Sequence, residues 1–181
     1  RINDGHLWVF SNELYENPKK YASGSIVELY DMKDAFIGTG YINPQSLISV
    51  RILTRDREPV DKEFFSKRIK DALMLREKLL GARDAIRLIY SEGDFLPGLI
   101  ADKYKNCLVL QFLTAGMEAM KESIINLFDE MLVPEVIILR NDGRSRTLEG
   151  LALHKEIVKG NLDTLPVINE DGILFEINPY E

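Results

Sequence analysis

Residues 107–139 read CLVLQFLTAGMEAMKESIINLFDEMLVPEVIIL, and this stretch decides the fold class of the chain. Its first seven residues, 107–113, are apolar enough to predict a strand. A helix is predicted for 116–132, because apolar residues recur there at three- and four-residue steps until Pro134 ends the pattern. Residues 136–139 are four consecutive branched aliphatic residues, typical of a strand covered on both faces. Strand, helix and buried strand in succession indicate a mixed α+β fold.

The segments on either side agree with this class. Asp61 is a good helix N-cap, apolar residues follow it at helical spacing, and Gly81 supplies the C-terminal stop, so one amphipathic helix is predicted between them. Further predicted elements are strands at 86–90 and 98–102, a weak helix near 148–159, and a hairpin of 166–169 with 173–177 around Glu170-Asp-Gly172.

The first 57 residues differ in character from the rest. Segments 25–30, 35–39 and 47–53 are rich in Ile, Val, Phe and Tyr and are separated by turn-forming residues. Several short strands with Gly at the bends predict a small barrel or sandwich. About 60 residues make a marginal unit, so we expect it to lean on its neighbour. The domains are therefore predicted as 1–57 and 58–181.

Composition and charge exclude several classes of protein. The chain has 181 residues, is 45% hydrophobic and carries one Cys, which excludes disorder and a disulfide scaffold, and no apolar run approaches a membrane span. Residues 1–57 hold seven basic and seven acidic side chains, so the net charge of −6 falls in 58–181. Phosphate contact is thus expected only at a local patch on the neutral first part. The chain begins with Arg, has no leader pattern, and is expected to be a trimmed cytoplasmic protein.

Catalytic apparatus is scarce in the sequence. Neither a dinucleotide-binding nor a triphosphate-binding glycine motif is present. His6, His154 and the single Cys107 cannot form a standard zinc site, so no metal is expected. Cys107 lies in an apolar strand, where a thiol behaves as a small buried hydrophobe with a raised pKa rather than as a nucleophile.

Two loops carry polar groups that could serve chemistry. Glu92 and Asp94 could act as an acid–base pair, but we favour a turn in which Asp94 bonds backbone amides and Gly98 takes an unusual dihedral angle. The three arginines of 140–146 could hold a phosphate or a base edge. An equally good interpretation of that second loop is a solvated loop whose arginines pair with Glu149.

Aromatic and basic residues alternate near the N-terminus, with His6, Trp8 and Phe10 beside Arg1. Such groups can stack on bases and neutralise phosphate, although a Trp of this kind more often anchors a small core. The remaining basic points are Lys19, Lys20, Arg51, Arg55 and Arg57. If the third strand continued, the last three would lie on one side, either toward RNA or as a charged solvent face.

Segments spread over the whole chain carry a family resemblance. They are Gly5-His-Leu-Trp-Val-Phe-Ser-Asn-Glu13, Gly38-Thr-Gly-Tyr-Ile-Asn-Pro44 with Ser46 and Ile48-Ser-Val-Arg51, Leu88-Ile-Tyr-Ser-Glu-Gly-Asp-Phe-Leu-Pro-Gly-Leu-Ile100, Arg140-Asn-Asp142, Glu149-Gly150 and Glu170-Asp-Gly-Ile173. These segments resemble the multidomain SAM-dependent methyltransferases that make 5-methylcytosine in large-subunit ribosomal RNA. The stretch 88–100 is the most specific of them.

The resemblance implies three parts: an N-terminal PUA domain, which is an RNA-binding barrel, a central α+β domain, and a C-terminal Rossmann-like methyltransferase that uses S-adenosylmethionine (SAM). That catalytic domain is expected to be missing from this chain, because its glycine segment, Pro-rich motif and catalytic Cys are not found. In the family, the Cys thiolate adds to C6 of cytosine so that C5 attacks the methyl group. Cys107 lies outside that motif. The strand that usually precedes the Gly-His-x-Trp motif is not found either, so the PUA-like barrel is expected to lack its first strand.

The chain is therefore predicted to be the RNA-recognition and docking portion of such an enzyme. The implied partner is ribosomal RNA, with neither membrane nor DNA, and a homodimer is left open. No catalytic, cofactor-binding or metal residue is expected, and the chain alone should neither bind SAM nor methylate RNA. The predicted RNA contacts are Arg1, His6, Trp8, Lys19, Lys20, Arg51 and Arg55, and the predicted lining of the cleft toward the catalytic domain is Arg140, Asn141 and Asp142.

Two alternatives remain open at this point. The chain could be a freestanding RNA-binding or protein-interaction module that never had a catalytic domain. It could also be a small enzyme that uses Glu92 and Asp94 as acid and base.

Overall fold

A computed structural model describes residues 2–181, apart from the side chain of Asn3. The fold has two parts, an N-terminal antiparallel sheet and a five-stranded mixed sheet, and one long helix leads from the first to the second. The α+β class predicted from the sequence is confirmed. In the described part of the chain, no helix is long and apolar enough to cross a membrane.

The N-terminal sheet contains four strands: β1 (Trp8–Val9), β2 (Ile26–Tyr30), β3 (Phe36–Ile42) and β4 (Val50–Thr54). Their order is β1-β4-β3-β2, and every neighbouring pair is antiparallel. The inner face buries Val9, Ile42, Val50 and Ile52 in a small core of their own. Within residues 2–181 no ladder joins β1 to β2, so both remain edge strands. The absence of a first barrel strand stays a prediction.

Helix α1 (Lys62–Leu80) has the boundaries that the sequence predicts. The Asp61 side chain accepts a hydrogen bond from the backbone N–H of Phe64 at 3.0 Å, which satisfies one of the free donors of the first turn. Gly81 ends the helix with a φ of 66°, a conformation that costs glycine little. The buried face of α1 carries Phe64, Phe65, Ile69 and Ala72.

The central sheet contains β5 (Ala85–Tyr90), β6 (Leu99–Tyr104), β7 (Cys107–Phe112), β8 (Val136–Asn141) and β9 (His154–Lys159), in that order. The β7–β8 pair is parallel and the other pairs are antiparallel. Ile137 and Leu139 of β8 pack into the large core beneath the helices, whereas Ile138 packs on the other face with Cys107 and Val109. The prediction of a strand covered on both faces is confirmed.

The crossover between the parallel strands is two helices, α2 (Ala115–Ala119) and α3 (Lys121–Leu132), not the single helix predicted for 116–132. The break falls at Met120, whose φ of −103° and ψ of 7° leave the helical region. The first residues of α2 meet the N-terminal sheet and its Met117 enters the large core, where α3 buries Ile124, Leu127 and Phe128.

The helix predicted near 148–159 is wrong. A short helix, α4 (Ser145–Leu148), ends before Gly150, and the segment that follows pairs antiparallel with β8 as strand β9. The β8 edge offers this segment a ladder of hydrogen bonds, and that tertiary pairing overrides a weak local helical preference. The C-terminal hairpin of β10 (Val167–Glu170) and β11 (Ile173–Glu176) is confirmed, with Asp171 and Gly172 both at positive φ in its turn.

Candidate functional site

The two parts of the chain meet at a buried carboxylate, Glu149. One carboxylate oxygen lies 2.8 Å from Nη1 of Arg51 and accepts the Ser46 hydroxyl at 2.9 Å, and the other accepts Nδ2 of Asn43 at 2.8 Å. The Ala115 backbone N–H also donates to it, at 3.3 Å. Three side chains of the N-terminal part thus converge on one acid from the central part, and we call these five residues the Glu149 junction.

Electrostatics keep the Glu149 carboxylate ionised. Burial by itself raises the pKa of Glu149, but the Arg51 charge and the hydrogen bonds from Asn43 and Ser46 outweigh it and leave the pKa below its ordinary value. A buried ion pair is tolerated where further hydrogen bonds satisfy both partners, and the Glu149 junction meets that condition.

A second buried contact fixes the same two parts against each other. Tyr41 of β3 lies fully buried, and its hydroxyl donates to the Pro97 carbonyl at 2.7 Å and lies 2.8 Å from Oγ1 of Thr114. Its ring occupies the space next to Gly116, where an added Cβ would overlap it. Burial raises the pKa of Tyr41 far above its ordinary value. The N-terminal sheet therefore has one defined orientation on the central part.

The turn that follows β5 confirms the structural interpretation of Glu92 and Asp94. Asp94 pairs with Arg76 through both carboxylate oxygens, one at 2.6 Å, and accepts the Tyr90 backbone N–H at 2.5 Å. Gly98 has a φ of 84°, and its N–H donates to the Ser91 hydroxyl. Because Asp94 is engaged with a cation and a backbone amide, the pair lacks a carboxyl group free for acid–base work.

Three of the predicted RNA contacts lie together at the β1 edge. His6 is exposed, and Arg55 donates from Nη2 to the carbonyls of His6 at 3.2 Å and Ile2 at 2.9 Å. Trp8 is 37% exposed and donates from Nε1 to Glu92 at 2.8 Å. The alternative of Trp8 as the anchor of a small core is therefore wrong. Arg1 lies outside the described residues.

The other predicted basic contacts are elsewhere. Lys19 and Lys20 follow Pro18, which lines a groove together with residues of β2, the opposite edge of the sheet from β1. Lys20 is ion-paired with Glu16 at 2.5 Å on the surface.

Arg51 differs from all of these because it is buried. Its guanidinium is bound to Glu149, so the structure gives it a role at the junction instead of on the surface. The expectation that Arg51, Arg55 and Arg57 share one side is wrong, since β4 ends at Thr54 and only the last two are exposed.

The predicted cleft residues lie at the end of β8. Arg140 binds Asp142 through two hydrogen bonds of 3.1 Å, which hold the pKa of Asp142 below its ordinary value. Both line a cavity of about 330 Å³ that the C-terminal residues 177–179 also border. Asn141 is fully buried and does not line it, because its Oδ1 accepts the Phe112 N–H and its Nδ2 lies 3.2 Å from Nε2 of His154.

The contacts of Arg146, in the same loop, show that one of the sequence-based alternatives is wrong. Arg146 is buried and bonds to Glu118 at 2.8 Å and to the carbonyls of Phe112 and Ala152. Glu149 pairs with Arg51, so the expected pairing between the loop arginines and Glu149 is wrong. Arg146 therefore has a structural role, because it joins this loop to Phe112, Glu118 and Ala152.

The surroundings of Cys107 and the placement of potential metal ligands bear on two further predictions. The Cys107 side chain is buried, and burial raises the pKa of its thiol to about 11, which confirms the prediction of an inert buried hydrophobe. Among the residues that the structure describes, no group of three or more His, Cys, Asp or Glu side chains could hold a metal ion.

Open α/β sheets bind their ligands at the carboxyl ends of the strands, so SAM, the cofactor implied by the resemblance, would be expected there. After β7 come Thr114, whose hydroxyl bonds Tyr41, and Ala115, whose N–H bonds Glu149. After β8 come Asn141 and Asp142, whose side chains bond to protein partners. The described residues at this edge do not fit SAM.

Sequence reasoning missed the residues of the two buried contacts. Asn43, Ser46 and Glu149 are within segments that carry the family resemblance, but no role was predicted for Asn43 or Ser46, and Glu149 was predicted only as a partner of the loop arginines. Arg51 and Asn43 are 98 and 106 residues away from Glu149. A paired Asn or Ser has no local signature, so only the folded chain shows the contact.

Comparison with known proteins identifies the class of the first part. Residues 1–55 match the family described as "PUA-like domain". The chain therefore has a PUA-like β-rich N-terminal region, followed by a mixed α+β part.

The whole chain is similar to particular enzymes. It is 35% identical over 177 residues to Ribosomal RNA large subunit methyltransferase I of Pseudoalteromonas translucida, and 37% identical over 180 residues to the protein of that name from Photobacterium profundum. Each match covers 96% of this chain and 45% of the relative, so the chain spans less than half the length of the relatives it matches.

A solved structure has the same fold. It is described as "A putative sam-dependent methyltransferase from Streptococcus mutans", and the match has a TM-score of 0.77, 17% sequence identity, and covers 96% of this chain and 44% of that one. At that level of identity, the likeness establishes the fold alone.

Proposed function

We propose that this chain is the RNA-recognition and docking portion of a SAM-dependent ribosomal RNA methyltransferase that acts on C5 of cytosine. The observation that carries the proposal is the similarity of 96% of the chain to enzymes named ribosomal RNA methyltransferases, beginning with a PUA-like domain. The match takes up 45% of their length. We assign SAM binding and methyl transfer to a part of the enzyme that these 181 residues do not include.

RNA contact is assigned to the exposed β1 edge of the PUA-like domain. His6, Trp8 and Arg55 lie together there and combine aromatic surface with positive charge, which suits unpaired RNA. We also propose that Arg1 and Lys19, which is exposed, contact RNA. Lys20 is proposed as a weaker contact, because its charge is paired with Glu16. Arg51 is left out because it is buried and ion-paired.

Docking is assigned to the end of β8. Arg140 and Asp142 border the cavity beside residues 177–179, and we propose that this cleft faces the catalytic domain. Asn141 supports it by holding the Phe112 backbone in place. The proposed domains are 1–57 and 58–181, with the boundary in the segment between β4 and α1. A cytoplasmic location follows from a ribosomal RNA substrate, and homodimer formation is left to measurement.

RNA binding can be measured by fluorescence anisotropy with labelled fragments of large-subunit ribosomal RNA at about 50 and 200 mM salt. We expect binding that weakens with salt, with a slope of about −0.7 per neutralised phosphate on a single strand. A DNA of the same sequence is the control and should bind more weakly. No binding to any fragment at low salt would refute the proposal.

Calorimetric titration with SAM addresses the second part of the proposal. The chain should show no heat of binding, because the polar groups that follow β7 and β8 are already bonded to protein partners. A protein extended to the full length of the relatives is the positive control. Micromolar binding of SAM to residues 1–181 would contradict the assignment.

A further inference from the structure

We propose that a second RNA contact lies where the PUA-like and central domains meet, and that it stacks unpaired RNA bases. It consists of Trp8 from β1, Arg68 from α1, and Tyr90 and Phe95 on either side of the turn at 91–94, and we call these four residues the junction platform. This inference rests on the proposed function, because it takes RNA as the ligand. It adds three residues, Arg68, Tyr90 and Phe95, for which the sequence predicted no role.

The first observation is the turn itself, which is rigid and strained. Ser91 and Phe95 both have positive φ, 49° and 57°, although neither is glycine. Such conformations are unfavourable for side chains with a Cβ and persist only where the surroundings enforce them, commonly at functional sites. Here Asp94 enforces the turn through its bonds to Arg76 and to the Tyr90 N–H.

The second observation is what this strained backbone presents to solvent. Asp94 and Leu96 on either side of Phe95 are buried, yet the Phe95 ring is 51% exposed. Tyr90 at the start of the turn is 58% exposed. The backbone is thus held in an unfavourable conformation that places an apolar ring outside, which core packing does not explain.

The third observation links this turn to the PUA-like domain. The Trp8 indole donates to Glu92 at 2.8 Å, which holds its partly exposed ring beside the turn. The guanidinium of Arg68 lies 5.3 Å from the Phe95 ring centroid and donates to the Leu53 carbonyl at the end of β4. Aromatic rings from both domains are therefore set around one turn, beside Arg55 and His6 at the neighbouring edge.

Two exposed rings at the platform each have an arginine beside them. Arg68 and Arg87 lie next to the exposed rings of Phe95 and Tyr90, respectively, so each ring has a cation beside it. Asp94 and Asp102 are neutralised by arginines. Glu92 accepts hydrogen bonds from Trp8 and Ser91. We infer that bases stack over the turn while the phosphate backbone runs along the Arg55 and Arg68 side, away from Glu92.

The test uses Trp8 as its own reporter, since it is the only tryptophan in the chain. A single-stranded fragment of ribosomal RNA should quench Trp8 emission, with the same midpoint as its binding followed by anisotropy. The same sequence in a duplex should leave the emission unchanged, because its bases are already stacked.

The decisive variant is Phe95→Gly. Glycine accepts a φ of 57° without strain, so thermal stability should be unchanged or higher, while affinity for single-stranded RNA should fall by about 5- to 150-fold, as for the loss of one stacked base. Arg68→Met should weaken binding and reduce the salt slope by about 0.7, the share of one phosphate contact. Tyr15→Ala, which removes a ring that is 90% exposed at the far groove, is the matched control and should leave affinity unchanged.

Each outcome decides between the two proposals. If the unaltered chain fails to bind RNA, the proposed function falls and the platform falls with it. If the chain binds RNA but Phe95→Gly and Tyr15→Ala bind equally well, the platform is refuted and the proposed function stands. If the chain binds RNA without any change in Trp8 emission, the platform is refuted together with the assignment of Trp8 to the β1-edge contact.

Discussion

Replacing Glu149 with Ala should destabilise the whole chain, because the Glu149 junction links its N-terminal and central parts. The substitution leaves the buried Arg51 guanidinium without its counter-ion and removes the acceptor of the Ser46 hydroxyl. Breaking a buried pair by removing one partner costs about 3–5 kcal/mol. For a chain of 181 residues, each kcal/mol lowers the melting temperature by about 2–4 °C, so a decrease of about 6–20 °C is expected.

The measurement is urea unfolding at neutral pH, followed by circular dichroism, with a thermal scan in parallel. Glu156→Ala is the matched control, because Glu156 is exposed on β9 and its loss should change the free energy of unfolding by about 0.5 kcal/mol or less. The double variant Arg51→Met with Glu149→Ala should lose less than the sum of its single variants, since each single change leaves a buried charge or acceptor unpaired.

The sign of the pH dependence follows from the lowered pKa of Glu149. A carboxyl group whose pKa is depressed in the folded state contributes stability above its ordinary value of 4.5, and this contribution is lost as the pH falls below it. The unaltered chain should therefore lose more stability than Glu149→Ala between neutral pH and about pH 4. A cost of about 1 kcal/mol or less for Glu149→Ala, or strictly additive single changes, would refute this account of the junction.

Three further predictions concern buried contacts. Gly116→Ala should lower the free energy of unfolding in urea by about 1–3 kcal/mol or more, because the new methyl group overlaps the Tyr41 ring. Gly143→Ala is the control and should be close to neutral, because the nearest atom to its new methyl group is 3.6 Å away. Equal effects of the two substitutions would contradict this packing. Tyr41→Phe should cost about 1–3 kcal/mol by leaving two buried oxygens without their partner, and an unchanged denaturation midpoint would argue against those bonds. Cys107 should react with a thiol reagent only as fast as the protein opens, and rapid labelling in the absence of urea would show that the thiol is accessible.

Where local chemistry decides an element, the sequence predicted it correctly. Asp61 and Gly81 set the ends of α1, and the turn at Asp171 and Gly172 set the hairpin, because capping and turn preferences act within a few residues. The prediction failed for β9, where a weak helical pattern lost to pairing with an available strand edge. It also failed for the break at Met120, where the backbone leaves the helical region between α2 and α3.

For the candidate site, sequence reasoning found residue types better than their roles. Trp8 and Arg55 were singled out by composition and do lie together at the surface. Arg51 was singled out in the same way but is buried, because strand alternation alone cannot say which face a neighbouring domain covers. Phe95 looked like an ordinary apolar residue, and its exposure depends on a left-handed backbone that the sequence does not reveal.

The sequence by itself determined the α+β class, the main helix, the strand covered on both faces and the family resemblance, since periodicity, capping and turn chemistry are local properties of the chain. Only the tertiary structure decided how the two domains are joined. Glu149 lies about 100 residues from its partners Arg51 and Asn43, and an ion pair in the interior exists only once both domains have excluded water from it. The contacts that orient the PUA-like domain, and the aromatic surface beside them, are therefore properties of the assembled fold.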